Sequence, residues 1–272
     1  MTTALIETAH AKINLALHIR ARRTDGYHQL ETLFAFAQDG DGLSGALAED
    51  LSLTISGPHA SGLESEFDNL ILRAARRLQA ATKARYGATL HLDKRLPVAA
   101  GLGGGSADAA ATLRLLAQLW HIDPDDPVIM TVARTLGADV PACIESATCF
   151  GSGRGDELTP LIVPALSGTP LLLVNPGIAL STAAVFAGWD GIDRGTLDPA
   201  DWRHGRNDLT PPAIALVPEI ADLLDRLESQ VGANFVQMSG SGATCFALFD
   251  HIEARNAAAR EIPFWHMSTV IR

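Results

Sequence analysis

Residues 97–107 read Pro97-Val98-Ala99-Ala100-Gly101-Leu102-Gly103-Gly104-Gly105-Ser106-Ala107. An alternating apolar segment, Ala88 to Leu96, runs into them, and an apolar-rich segment reaching about Trp120 follows. The pattern is strand, glycine loop, helix. Four glycines within residues 101–105 let backbone N–H groups approach an anion with no side chain in the way. A helix opening at Ser106 adds unpaired N–H groups and the positive end of its dipole, which together favour a phosphate. Read alone, the loop is equally a flexible connection. A P-loop requires a lysine directly after its glycines, and none follows here. The dinucleotide fingerprint requires glycine where Ser106 stands, and the chain upstream is not a repeated βαβ pattern.

Outward from the loop, both flanks mix the two periods. Leu5 to Arg20 alternates through Ile13, Leu15, Leu17 and Ile19, then turns at Thr24-Asp25-Gly26. Thr32 to Ala37 and Leu51 to Ser56 read as further strands. Asn69 to Tyr86 carries a helical stripe of Leu70, Ala74, Leu78 and Ala81, with Gly87 as its stop. Another helix follows Asp125-Asp126-Pro127 and stops at Gly137. Past residue 150 the texture changes: Gly151 to Gly155 is turn-rich, Pro164 to Pro170 reads as a loop, and Leu171 to Val174 as a short buried strand ending at Asn175-Pro176-Gly177. Ser181 can cap a helix from Thr182. Ile214 to Gln230 is an amphipathic helix, Phe235 to Phe249 is strand, turn, strand, and His251 to Glu261 is a helix before a last strand, Phe264 to Ile271. The fold class is α+β in two lobes, residues 1–160 and 161–272.

Composition narrows the function. The chain has 272 residues, 47% hydrophobic and 19% charged, with a formal net charge of −10, so it is neither disordered nor basic. No basic stripe marks a nucleic-acid partner, and no apolar run is long enough to span a membrane. Glu7 and Lys12 interrupt the first apolar stretch, which makes it a poor signal peptide and points to the cytoplasm. Cys143, Cys149 and Cys245 form no C-x-x-C pair, so neither a disulfide framework nor a zinc site is expected. Only Lys12, Lys83 and Lys94 are lysines, which draws attention to each.

Four other stretches hold chemistry-bearing residues. Lys12, within Ala11-Lys12-Ile13-Asn14-Leu15, lies on a solvated strand face or is aimed into a site. Asp139, in Leu136-Gly137-Ala138-Asp139-Val140-Pro141, is a turn former or a carboxylate held as a base. In Asp25-Gly26-Tyr27-His28 the ring and imidazole suit a flat heterocycle, or the aromatic packs beneath the turn. Met238-Ser239-Gly240-Ser241-Gly242 is an anion-binding backbone nest or a hairpin turn.

Taken in order, A-K-I-N-L, D-G-Y-H, P-V-A-A-G-L-G-G-G-S-A-D-A-A, L-G-A-D-V-P and S-G-S-G-A-T resemble the GHMP kinase superfamily over nearly the whole chain. The first two motifs select a branch; mevalonate-type relatives would show a G-E-H element near the N-terminus, absent here. The resemblance implies a two-lobed GHMP kinase fold with the active site in the cleft between lobes. It implies transfer of the γ-phosphoryl group of ATP to the 2-hydroxyl of a methylerythritol carrying a cytidine diphosphate. By the same similarity Asp139 is the catalytic base and Lys12 its charged neighbour, while Pro97 to Ala107 wrap the ATP phosphates. Asn69 and Lys94 lie towards the adenosine, and Asn14, Tyr27 and His28 towards the substrate, with His28 on the cytosine edge. Phe186 stacks on the opposite face of that base, Thr182 lies nearby, and Gly240, Ser241 and Gly242 close round the substrate's phosphate end. Mg²⁺ rides on the phosphates, with Ser106 a candidate ligand and no dedicated metal site. Relatives more often carry glycine at Ala99. The implied partner is a small molecule, and the implied assembly a monomer or weak homodimer. Competing readings are a kinase for homoserine or a mevalonate-type acid, a nicotinamide-dependent oxidoreductase, and an inert binding module.

Overall fold

The computed structural model describes residues 4–63 and 69–272. The chain begins with β1 (Leu5–Arg22), β2 (His28–Ala48), β3 (Ser52–Ser56), α1 (Leu70–Thr82) and β4 (Gly87–Asp93). It continues with α2 (Gly104–Leu119), α3 (Pro127–Leu136), α4 (Val140–Glu145), β5 (Cys149–Ser152), β6 (Glu157–Pro160) and β7 (Pro170–Asn175). Then come α5 (Thr182–Ala187), α6 (Thr210–Leu216), α7 (Glu219–Glu228), β8 (Ala233–Met238), β9 (Cys245–Phe249), α8 (Ile252–Glu261) and β10 (Trp265–Val270).

Two compact units interleave along the sequence and do not divide at residue 160. One comprises Met1–Ala11, Asp39–Val98 and Gly103–Ser146; the other comprises Lys12–Gln38, Ala99–Leu102 and Ala147–Arg272. The physical reason lies in β1 and β2, at 18 and 21 residues. At roughly 3.3 Å per residue each is longer than a small domain is wide. Each therefore contributes one end to either unit, and the chain crosses several times.

In the first unit, β3 pairs in parallel with β4, and β4 runs antiparallel to the Gly42–Ala48 end of β2. Helices α1, α3 and α4 pack on α2, whose alanines and leucines are buried on nearly all sides. A helix so enclosed has to be apolar all round. In the second unit the other end of β2 pairs with β5, and β5 with β6. An antiparallel sheet in the order β10-β7-β9-β8 packs against α7 and α8 through Leu172, Val174, Leu223, Leu227 and Phe249. Every residue of β7 is buried, which explains its unbroken apolar run.

Local readings needed correction at a few places. α1 stops at Thr82, where Lys83 takes a left-handed conformation (φ 57°), while Gly87 opens β4. The amphipathic stretch 214–230 is two helices, because Pro218 supplies no N–H and Val217 before it is extended. The helix after the glycine loop opens at Gly104, two residues before Ser106. Gly137 has an extended φ of 167°, and Asp139 directly precedes the short helix α4.

Candidate functional site

The glycine loop is divided between the units. In the second unit, Leu102 accepts at its carbonyl from the Lys12 N–H (2.9 Å), and Ala100 from that of Thr244 (3.2 Å). The Ser239 hydroxyl donates to the Gly101 carbonyl (2.8 Å). Gly101 has φ +77°, and a Cβ there would lie 2.4 Å from the Ser239 carbonyl oxygen, so only glycine is tolerated. Ala99 is also left-handed at φ 53°. The facing loop, Ser239 to Gly242, is anchored by Asn207, which donates to the Met238 and Gly240 carbonyls at 2.8 Å each. Thr182 and Ser241 share a hydroxyl–hydroxyl hydrogen bond of 2.9 Å.

Two further groups belong to that unit. Lys12 is buried; its ammonium donates to Asn14 Oδ1 (2.8 Å) and lies 5.2 Å from the Phe34 ring centre. Asn14 Nδ2 donates to Thr32 Oγ1 (2.7 Å), which donates on to the Ala16 carbonyl (2.7 Å). The relay orients Asn14 and holds the Lys12 ammonium, and the burial of Lys12 rules out the solvated-face reading. His28 packs 5.0 Å from Phe186, tilted by 37°, and 5.7 Å from Trp189, nearly edge-on. Its Nε2 is buried with no hydrogen-bond partner among the described residues. Burial, then the nearby Arg22 charge, hold its pKa below the ordinary value. Tyr27 remains exposed, with the Arg154 guanidinium 5.0 Å from its ring centre.

In the first unit, Gly103 is left-handed (φ 62°) and Gly104, Gly105, Ser106 and Ala107 form the first turn of α2, which holds no acidic side chain. A Cβ on Gly105 would meet nothing within 4 Å, so its backbone borders open space. Sixteen residues of helix stand behind these N–H groups, which suits an anion. Pro97 is half-buried and Val98 exposed. Lys94 is sealed away between Asp41 Oδ2 and Asp108 Oδ2, both at 2.6 Å. Asp41 Oδ1 also accepts from the Arg95 and Leu96 N–H groups. Asn69 Oδ1 caps α1 by accepting from the Ile71 N–H (2.9 Å). Asp139 is the N-cap residue of α4 and makes no side-chain cap hydrogen bond to it.

Sequence reading overlooked Asn207, Trp189, Asp41 and Asp108. One signal was available: an aspartate inside the Ala-rich, buried α2 demands a buried cation, and so few lysines leave few choices. Asn207 and Trp189 carry no such mark. Among the described residues no group of three or more His, Cys, Asp or Glu side chains forms a metal-binding cluster, and no helix is long and apolar enough to cross a membrane.

A divided glycine loop with left-handed Gly101 and Gly103, a helix N-terminus bare of acids and a glycine-rich loop joining β8 to β9 are features that suit a phosphate ligand on this α+β fold. Residues 69–146 match the model of the GHMP kinases N terminal domain, and residues 193–264 that of the GHMP kinases C terminal domain. The chain belongs to the GHMP kinase family and is a kinase. A protein of Rhizorhabdus wittichii named 4-diphosphocytidyl-2-C-methyl-D-erythritol kinase is 51% identical over 277 residues, spanning 98% of this chain and 94% of its own. A Sphingopyxis alaskensis protein of the same name is 47% identical over 288 residues, spanning all of both. The crystal structure of a 4-(cytidine 5'-diphospho)-2C-methyl-D-erythritol kinase superposes with a TM-score of 0.84 at 33% identity, covering 98% of this chain and 99% of that one.

Proposed function

We propose that this kinase transfers the γ-phosphoryl group of ATP to the 2-hydroxyl of 4-diphosphocytidyl-2-C-methyl-D-erythritol, a step of non-mevalonate isoprenoid precursor synthesis in the cytoplasm. One observation carries the proposal: 51% identity to a protein of that name along 98% of the chain. Phosphoryl transfer is mostly positioning and charge stabilisation, so few groups are needed.

In this reading Asp139 takes the proton from the attacking hydroxyl, and Lys12 stabilises the charge growing on that oxygen. One observation supports it: the Lys12 ammonium is buried and held by Asn14 Oδ1. The N–H groups of Gly103 to Ala107 bind the nucleotide phosphates, and the bare first turn of α2 with open space at Gly105 fits such a group. Pro97 to Leu102 line the same nucleotide, with Asn69 towards the adenosine. Lys94, expected towards the adenosine, is instead buried with its ammonium between Asp41 and Asp108, so it is left out of the direct nucleotide contacts. Asn14, Tyr27, His28 and Phe186 receive the cytidine end; Thr182, Gly240, Ser241 and Gly242 receive the phosphates. When bound, Mg²⁺ neutralises the phosphate oxygens, with Ser106 as a candidate protein ligand; a magnesium ion carried on phosphates needs few protein carboxylates.

The test is ADP release from ATP and Mg²⁺ with the diphosphocytidyl alcohol, alongside homoserine and mevalonate as competing acceptors. Turnover with the first alone is the expected result. No ADP with the first, or faster release with either other alcohol, sinks the proposal.

A further inference from the structure

We propose that Arg22 and Trp189 are positioning residues for base recognition: Arg22 ties down the end of the helix that carries Phe186, and Trp189 fixes the rotation of the His28 ring. The functional half of this inference rests on the base-binding role assigned above to His28 and Phe186; the structural half does not.

Phe186 lies near the end of α5, a helix of six residues whose last carbonyls have few intrahelical partners. Arg22, the last residue of β1, donates to the Ala187 carbonyl (3.3 Å) and the Trp189 carbonyl (2.6 Å). A cation at this helix end also suits the dipole. The guanidinium lies 5.9 Å from the Trp189 ring centre, so the same side chain holds the indole. Trp189 is buried, belongs to the apolar core of its unit, and borders a cavity of about 340 Å³ together with Asn207 and Pro212.

His28 is therefore held on two sides by rings fixed through one arginine. The near-perpendicular Trp189 and the tilted Phe186 leave the imidazole little freedom to turn about χ2. Its buried, unpaired Nε2 costs stability unless a ligand meets it. A neutral imidazole offers one donor and one acceptor to the edge of a heterocycle. The charged groups nearby leave Arg22 as the one acting on His28. α5 has no titratable side chain. Asp190 pairs with Arg194, Asp25 with Arg23, and Arg154, at Tyr27, with Asp156.

The experiment compares Arg22→Gln, Arg22→Lys, Trp189→Phe and Trp189→Ala in the full chain. It follows the His28 titration by NMR without ligand, CMP binding by calorimetry, and KM against kcat for both substrates. Arg22→Gln is expected to raise the His28 pKa and to weaken CMP binding and the diphosphocytidyl KM by about tenfold, the usual loss for charge-assisted hydrogen bonds. Its kcat and ATP KM stay within about twofold of wild type. Arg22→Lys restores the His28 titration. Trp189→Phe, which keeps an edge-on ring, retains CMP binding to within about threefold, whereas Trp189→Ala loses it. An unmoved His28 titration in Arg22→Gln overturns the proposal. So does a parallel fall in kcat and ATP affinity, which reports damage to the fold. If the wild-type chain fails to bind CMP, the base-binding reading falls, while the His28 titration still decides the structural half.

Discussion

Lys94 donates to Asp108 Oδ2 over 2.6 Å with the two side chains only 4% and 6% exposed. Asp41, wholly buried, accepts from the same ammonium. A Cβ on Gly104 would lie 3.2 Å from that nitrogen, so the cluster sits directly beneath the opening of α2. Removing one partner strands the other charges in a low dielectric. Lys94→Met is expected to cost about 3–5 kcal/mol in urea unfolding. A loss below about 1 kcal/mol would mean that water reaches the cluster.

The cluster also sets a pH dependence. Burial, with Asp41 adding repulsion against the attraction of Lys94, pushes Asp108 up from 3.8 to about 7. The native state thus binds this proton more tightly than the unfolded state does. The stabilisation it contributes is complete below about 4 and is lost as pH rises through about 7. Asn at this position keeps the shape and removes the proton. The stability of wild type relative to Asp108→Asn should therefore fall between pH 4 and pH 7, measured by urea titrations across that range. A flat difference would show that Asp108 does not titrate there.

Gly101 and Gly105 should respond oppositely to alanine. At Gly101 the new methyl group meets the Ser239 carbonyl in a left-handed backbone, and unfolding stability should fall by more than about 2 kcal/mol. At Gly105, inside α2 and facing open space, alanine should raise helix stability by about 0.5–1 kcal/mol. If that space takes a phosphate, the same substitution raises the KM for ATP. Thermal melts and ATP kinetics on the two variants separate the outcomes.

Ala99 holds a left-handed φ of 53°, which costs a non-glycine residue about 1–2 kcal/mol. Glycine relieves that strain but gives back part of the gain through unfolded-chain entropy. Ala99→Gly should stabilise the chain by up to about 1 kcal/mol in chemical denaturation. Destabilisation would mean that the methyl group makes a contact worth more than the strain.

Asp139→Asn preserves shape and removes the proposed base. It should lower kcat by about 10²–10⁴-fold with little change in ATP affinity, read by single-turnover kinetics and nucleotide titration. Near-normal turnover would exclude Asp139 from proton transfer.

Much of this molecule was legible along the chain. The alternation of β1, the stripe and asparagine cap of α1, the glycine loop and its helix, and the Asn175-Pro176-Gly177 turn are written in neighbouring residues. One misreading was local as well, since Pro218 and Val217 announce the break between α6 and α7 in their own chemistry. β2 was different. Its Asp39-Gly40-Asp41-Gly42 stretch has the composition of a turn, yet it is strand. Gly40 is required because a Cβ would lie 1.9 Å from the Ala9 carbonyl oxygen, and Asp41 because Lys94 is buried beside it.

The sequence by itself determined most of the element types, the family and the residues with chemistry to offer, because period, capping and motif spacing act over a few neighbouring positions. Only the tertiary structure decided which of those residues meet. Asn207 holds the Gly240 loop, Arg22 the end of α5, and Lys94 joins residues 41 and 108. Each is a contact between positions distant in the chain. Such contacts follow from how the strands and helices pack, and no short window of residues contains that information.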